Sequence, residues 1–261
     1  MKKTLIDILF MSEKRKETLL LLQDDVKEMK DLFRLLKTNR QSLLPQMRIL
    51  EEHHLVFHEK DAYELTNIGK LIVSEMTPLV RTAETLDIDI DYWGTHNLDF
   101  VPPHLLERID ELQECKVLKP NVVEMFEIDK DFVESAMKSN SIYLISTIMH
   151  PAFPSILSNF VRSNRSVQMI ISRELFDKLK EEWFTIFKEF IDSGGVKFYL
   201  YTAGLNVTTL AITDSCFILR LLSSNNEFSN KQLICSDPRS HQWSKDLFQH
   251  YLERSTLIDR I

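Results

Sequence analysis

The first 65 residues alternate short apolar stripes of helical period with polar turns. Leu5, Ile6, Leu9 and Phe10 repeat at helical spacing, and behind Ser12, an N-cap residue type, a second stripe runs through Thr18, Leu19 and Leu22. Val26, Met29, Leu32, Phe33 and Leu36 predict a third helix over 25–36. After the polar turn Lys37-Thr38-Asn39-Arg40, a fourth helix is expected from Gln41 or Ser42 to Glu52, with Leu43, Met47 and Leu50 inward. Pro45 favours a start at Ser42: a first-turn proline lacks only an N–H that no carbonyl requires, whereas an interior one costs ~3 kcal/mol. Leu55-Val56-Phe57-His58 and Ala62-Tyr63-Glu64-Leu65, on either side of Glu59-Lys60-Asp61, read as a hairpin. Helices followed by a hairpin are the order of a winged helix-turn-helix, the third and fourth helices forming the motif and the hairpin its wing.

Thr66 or Asn67 then caps a helix through Ile68, Leu71, Ile72 and Met76, with Leu79, Val80, Ala83 and Leu86 carrying the stripe onward. Pro78 predicts a kink or break. A helix in this place suits pairing with a second copy, so a homodimer is expected. From residue 93 the pattern turns to alternating helix and strand. Pro102-Pro103 opens a helix over 104–112, Cys115 to Leu118 reads as a strand and Asp129 to Lys138 as a helix. Ile142 to Ile148 is a nearly continuous apolar run, as in a strand buried on both faces. A helix over 152–162, a strand over 167–171, a long helix over 174–192 ended by Gly194-Gly195, and a strand over 196–201 follow. Thr208 to Thr213, Cys216 to Leu222 and Gln232 to Cys235 read as antiparallel strands before a last helix over 238–253. The fold class expected is α+β: an N-terminal winged helix-turn-helix and a C-terminal mixed α/β sheet domain, with residues 1–76 as the first domain, 77–92 a connecting helix and 93–261 the second.

Composition and charge narrow the function classes. The 261 residues are 44% hydrophobic and 27% charged, an ordinary globular profile. Apolar runs are too short and too interrupted by charge for a membrane span or, with Asp7 inside the N-terminal stretch, for a signal peptide, so a cytoplasmic protein is expected. The net charge is -7, yet residues 1–76 balance 13 basic against 13 acidic side chains. Within residues 27–48, Lys27, Lys30, Arg34, Lys37, Arg40 and Arg48 stand against only Glu28 and Asp31. A basic patch on an acidic body fits a DNA-binding domain joined to another module. The five glycines form no nucleotide-binding loop. Cys115, Cys216 and Cys235, without a C-x-x-C, suggest free thiols in a reducing compartment rather than disulfides.

Candidate side chains follow from this frame. Arg40, Gln41, Ser42, Gln46 and Arg48 lie on the first turns of the fourth helix, and Lys60 lies at the wing tip; Gln and Arg match the edges of adenine and guanine. Ser146, Thr147 and His150 follow one central strand and Arg173 the next; Tyr201 ends the third, and Arg220 lies in an apolar strand. Carboxyl ends of strands are where open α/β sheets form ligand crevices, so these six residues are candidates for a small-molecule effector pocket, with Arg173 or Arg220 binding an anionic group. The competing reading is that the hydroxyls and the histidine cap helices. No metal, cofactor or catalytic set is expected. His53, His54 and His58 are closely spaced but have no cysteine beside them, and Asp87-Ile88-Asp89-Ile90-Asp91 lacks the glycine and glutamate of a calcium loop.

The stretch Ser42 to Val56, followed by Tyr63-Glu64-Leu65-Thr66-Asn67-Ile68-Gly69, resembles the ArsR-like winged-helix regulators of archaea. His54 stands where that family has a glycine, and histidine is among the residues that tolerate the left-handed conformation. Leu210 to Asp214, Leu219 to Leu222, Leu233 to Asp237 and Trp243 to Tyr251 resemble the effector domain of winged-helix methanogenesis regulators. The strand–helix order is also similar to degenerate phospholipase D-like sensor domains. The catalytic H-x-K-x-x-x-x-D of true phospholipases D is absent, since Ala152 and Trp243 stand where lysine would follow His150 and His241. The resemblance implies a transcription regulator acting on double-stranded DNA. The alternatives weighed against it are a phosphodiester- or nucleotide-processing enzyme that holds substrate on its winged helix, and a protein-binding adaptor.

Overall fold

The computed structural model of the chain describes residues 4–121, 129–163 and 165–261. It divides into two units, the boundary falling between Arg81 and Thr82. In the first, α1 (Leu5–Phe10), α2 (Glu13–Leu21), β1 (Lys27–Glu28), α3 (Met29–Leu35), α4 (Arg40–Glu52), β2 (Val56–Glu59), β3 (Ala62–Leu65) and the start of α5 (Asn67–Asp87) follow in order. The strands form a small antiparallel sheet in the order β1-β3-β2, a winged helix-turn-helix with α3 and α4 as the motif. Leu19, Leu32, Leu43, Leu50 and Leu55 are completely buried at its centre, each worth roughly 1.5–3 kcal/mol of transfer free energy.

The second unit contains α6 (Ile90–Thr95), α7 (Pro103–Leu106), a 3-10 turn (Ile109–Leu112), β4 (Lys116–Leu118), α8 (Lys130–Lys138), β5 (Ser141–Ser146), α9 (Phe153–Arg162) and β6 (Ser166–Ser172). There follow α10 (Arg173–Glu182), α11 (Phe184–Asp192), β7 (Val196–Tyr201), β8 (Val207–Ile212), β9 (Phe217–Leu221), β10 (Gln232–Cys235), α12 (Pro238–Leu252) and β11 (Thr256–Ile258). Among the described residues these strands make one mixed sheet ordered β11-β7-β6-β5-β8-β9-β10-β4, with β5, β6 and β7 parallel and the other pairings antiparallel. Each face carries a core. Phe132, Leu157, Leu175 and Phe187 of α8 to α11 pack against Leu144, Met169 and Phe198 on one side. Tyr92, Leu105, Leu112, Trp243 and Leu247 cover the other. This burial on both faces explains why the central strands read as continuous apolar runs.

Several expectations are corrected. The third helix starts at Met29, not Asp25: Lys27 and Glu28 pair with Tyr63 and Ala62 as a third strand of the wing sheet, and Val26 is exposed. The fourth helix starts at Arg40, with Asn39 rather than Ser42 at its head; the Asn39 side chain accepts the Ser42 N–H at 3.0 Å. Pro45 is therefore interior and removes the donor to the Gln41 carbonyl. Both residues are exposed, so water replaces the lost bond. Pro78 does not break α5 for the same reason, since Ser74, whose carbonyl loses its donor, faces solvent. The helix expected over 104–112 is α7 plus the 3-10 turn, and the one over 174–192 divides at Trp183, which leaves the helical region (φ -129°, ψ 22°). The expectation of free thiols fails for Cys115 and Cys235. They face each other across the ends of β4 and β10, Cα atoms 4.5 Å apart, and form a disulfide, while Cys216 is free and buried. Strand β11 was not expected.

His96 gives the second unit a pH dependence. It is buried, its Nδ1–H donating to the Tyr92 carbonyl (2.6 Å) and its Nε2 accepting from the Ser229 hydroxyl (2.9 Å). Burial holds its pKa below the ordinary histidine range; burial, aided by Arg254 and His104, does the same for His250. The unfolded chain takes up these protons near pH ~6.5 and the folded chain only at lower pH, so the unfolded state binds more protons as the pH falls through that point. Stability is expected to be complete above pH ~6.5 and to fall as pH drops through and below it. Thermal unfolding followed by circular dichroism from about pH 7.5 to about pH 5 should show this, with a smaller loss in His96→Gln.

Candidate nucleic-acid interface and ligand cavity

The recognition helix is held from below by Leu43, Met47 and Leu50 and closed by a Schellman turn. The Leu55 N–H bonds the Leu50 carbonyl (2.9 Å), the His54 N–H bonds the Glu51 carbonyl (2.9 Å), and His54 takes φ +57°, the left-handed conformation its place demands. The wing is tied to the same turn. The His58 Nδ1 hydrogen-bonds Glu51 Oε1, and its ring stacks on Tyr63 with centroids 5.1 Å apart. Two residues, Lys60 (φ +59°) and Asp61, turn the hairpin.

Exposed positions on α4 form a stripe of Gln41, Pro45, Arg48 and Glu52, with Arg40 beside it and Ser42 half-buried. Carboxylates sort the nearby cations into two groups. Lys27 pairs with Asp25 (3.4 Å), Lys30 with Glu28 (2.7 Å) and Arg34 with Asp31 (3.1 Å). Lys37, Arg40, Arg48 and Lys60 have no ion-pair partner among the described residues. The cations free of ion pairs thus lie in the helix-turn-helix turn, on the exposed stripe and at the wing tip, the last flanked by Glu59 and Asp61. Lys37, at φ +46° in that turn, was not among the predicted site residues, although the local charge count included it.

Gln46 is the predicted site residue the structure diverts. Its Oε1 accepts from Arg15 Nη1 (2.6 Å) and from the Ser12 hydroxyl (3.3 Å). Arg15 is itself buried, donating from Nε to the Ile8 carbonyl (2.6 Å) and from Nη2 to the Asp7 carbonyl (3.3 Å). The acceptor needed to read adenine is thus spent inside the domain. His53 is engaged too, its Nδ1 meeting the Ile49 carbonyl at 2.8 Å. Among the described residues no group of three or more His, Cys, Asp and Glu is placed to hold a metal ion.

In the second unit α8 and α9 roof a cavity of about 90 Å³ over one face of β5, β8 and β9. The register builds its floor. Leu144, Ala211 and Ile218 lie in one cross-strand row, and Ser146, Thr209 and Arg220 in the next. Of the six predicted effector residues, Arg220 and His150 line this cavity. Ser146 is in the polar row, its hydroxyl donating to the Ile148 carbonyl (2.7 Å), and the Thr147 hydroxyl donates to the Val207 carbonyl (2.7 Å). Arg173 lies over the Phe176 ring (5.7 Å), and Tyr201 packs edge-on against Tyr251 (5.1 Å) in the core of the opposite face. His241 Nε2 meets the Thr213 carbonyl at 2.7 Å, so the two histidines considered for phosphodiester chemistry each have a capping or bracing role; His150 Nδ1 accepts the Ala152 N–H at 3.1 Å.

A winged helix-turn-helix followed by a mixed α/β sheet domain with an apolar cavity is the make-up of a winged-helix regulator. The chain belongs to the family of the methanogenesis regulatory protein FilR1, whose N-terminal domain matches residues 3–84 and whose middle domain matches residues 125–254. The curated FilR1 of Methanothrix harundinacea (strain 6Ac) is 21% identical over 263 residues, taking in 95% of this chain. The chain spans 56% of that relative's length. Among solved structures, TrmBL2, an archaeal chromatin protein with a novel mode of DNA binding, aligns over 99% of this chain and all of its own at 14% identity and a TM-score of 0.44. The phospholipase D family member Nuc from Salmonella typhimurium aligns over 56% of this chain and all of its own at 11% identity and a TM-score of 0.41. Among the described residues no helix is long and apolar enough to cross a membrane.

Proposed function

We propose that this chain is a transcription regulator that binds double-stranded DNA as a homodimer, with the second unit sensing a small-molecule effector. The observation that carries the reading is the set of unpaired cations, Lys37, Arg40, Arg48 and Lys60, on a helix-turn-helix whose other cations are neutralised. Arg40, Gln41 and Arg48 present donors to base edges; Ser42, Lys37 and Lys60 suit phosphates, as does the N-terminus of α4. Dimerisation is supported by apolar side chains left in solvent on α1 (Leu5, Ile6, Phe10) and α5 (Ile68, Leu71, Leu79). Two copies would address half-sites separated by about 34–36 Å. The cavity of the second unit supports the effector role.

A gel-shift titration of the whole chain on duplex DNA from its own upstream region tests this. Retardation is expected at low salt, with log affinity falling against log salt at a slope near -3 to -4, about -0.9 for each of four phosphate contacts, Lys37 and Lys60 from each of two copies. Sedimentation should give a dimer. Absence of retardation at low salt refutes the DNA reading, and a monomer on DNA refutes the dimer.

A further inference from the structure

We propose that the cavity beneath α8 and α9 binds a small aliphatic carboxylate, with Arg220 taking the anionic end. This rests on the sensor reading of the second unit and names its ligand class. The argument starts from the strand Phe217-Ile218-Leu219-Arg220-Leu221, in which every residue is buried and one is a cation. Arg220 is only 9% exposed. Its Nε donates to Gln232 Oε1 (2.7 Å), and among the described residues no carboxylate pairs with it. A guanidinium withdrawn from water without a counter-charge costs several kcal/mol unless an anion is supplied. The terminal nitrogens left over by the Gln232 bond offer the forked geometry that grips a carboxylate.

The surroundings decide what the anion carries. Thr209 lies directly across from Arg220 in the register and adds a hydroxyl to the polar end of the floor. Beyond it the lining is hydrocarbon apart from His150, whose Nδ1 is taken by the Ala152 N–H: Leu144, Ala211 and Ile218 lie beneath, and Phe132, Leu157 and Phe160 come from the helices. One buried cation balances one negative charge. A phosphomonoester, with about -1.5 to -2, would bring excess charge into an apolar chamber. Size limits the body of the ligand. A dry, closed cavity of about 150 Å³ takes benzene; the space here, about 90 Å³, is smaller but partly open to solvent, so a short acid such as butyrate can lie with only part of its length inside.

Calorimetric titration of the full chain with sodium butyrate, butan-1-ol and n-butylamine tests the assignment. Butyrate is expected to bind saturably and at least tenfold more tightly than butan-1-ol, with no binding of n-butylamine. Arg220→Gln should erase the preference for the acid. Ala136→Leu, which fills the roof, should weaken acid and alcohol alike. Equal affinity of acid and alcohol, undiminished butyrate binding in either variant, no butyrate binding at all, or tighter binding of dibutyl phosphate than of butyrate would each overturn the proposal. The gel shift separates it from the regulator reading. Retardation of DNA without butyrate binding removes the ligand alone, and Arg220-dependent butyrate binding without retardation removes the regulator alone.

Discussion

Replacing Arg40 and Arg48 together with alanine is expected to cost ~2–4 kcal/mol of binding to the upstream duplex, roughly a 30- to 1000-fold loss, with the unfolding midpoint unchanged. Both guanidinium groups are exposed and unpaired, so the fold loses nothing measurable when they go; surface changes of this kind stay within about 0.5 kcal/mol. Gln46→Ala is the informative contrast. It removes the acceptor of a buried cation, so its effect should fall on the stability of the first unit rather than on sequence preference. A double arginine variant that binds as the wild type does would show that α4 does not face DNA.

Gly69→Ala should destabilise the first unit by ~1–3 kcal/mol, read as a drop in its thermal midpoint. A Cβ at Gly69 would lie 2.0 Å from the Leu55 carbonyl oxygen and 3.3 Å from the Leu65 side chain. Alanine gains about 1 kcal/mol over glycine in helix propensity, and that gain cannot offset a collision with backbone. The same Leu55 carbonyl accepts the Thr66 N–H (3.0 Å), while the Thr66 hydroxyl accepts the Gly69 N–H (3.0 Å). The start of α5 thus rests on the residue that completes the Schellman turn of the recognition helix. Gly94 in α6 is the control. A Cβ there meets nothing within 4 Å, so Gly94→Ala should be neutral or mildly stabilising. Equal effects of the two substitutions would refute the close-approach argument.

What the chain shows before folding is mostly what burial dictates locally. The stripe Leu43, Met47, Leu50 and the runs in β5 and β6 are legible because a buried face must be apolar. The left-handed turn at His54 was legible through the family resemblance, which puts a glycine at that place. Strands β1 and β11 were not. The first has two residues, and the second, Thr256–Ile258, is largely exposed, so backbone pairing at a sheet edge leaves no hydrophobic pattern to see. The break at Trp183 carries no glycine or proline. Pairings between distant residues are invisible for a different reason. Cys115 meets Cys235 across 120 positions and Arg15 meets Gln46 across 31, and nothing in either neighbourhood names the partner. Arg220 did leave a signal, a charge inside an unbroken apolar strand. Only the register set it beside Thr209 and apart from Arg173 and Tyr201.

The Arg15 guanidinium clamps the final turn of α1 and the middle of α4 to one rigid fork. A molecule seated on Leu5, Ile6 and Phe10 bears on a lever whose far end is α4. In the proposed dimer on DNA, assembly and base recognition are thereby in mechanical series, and the pitch of α4 over the groove is adjustable from outside the groove.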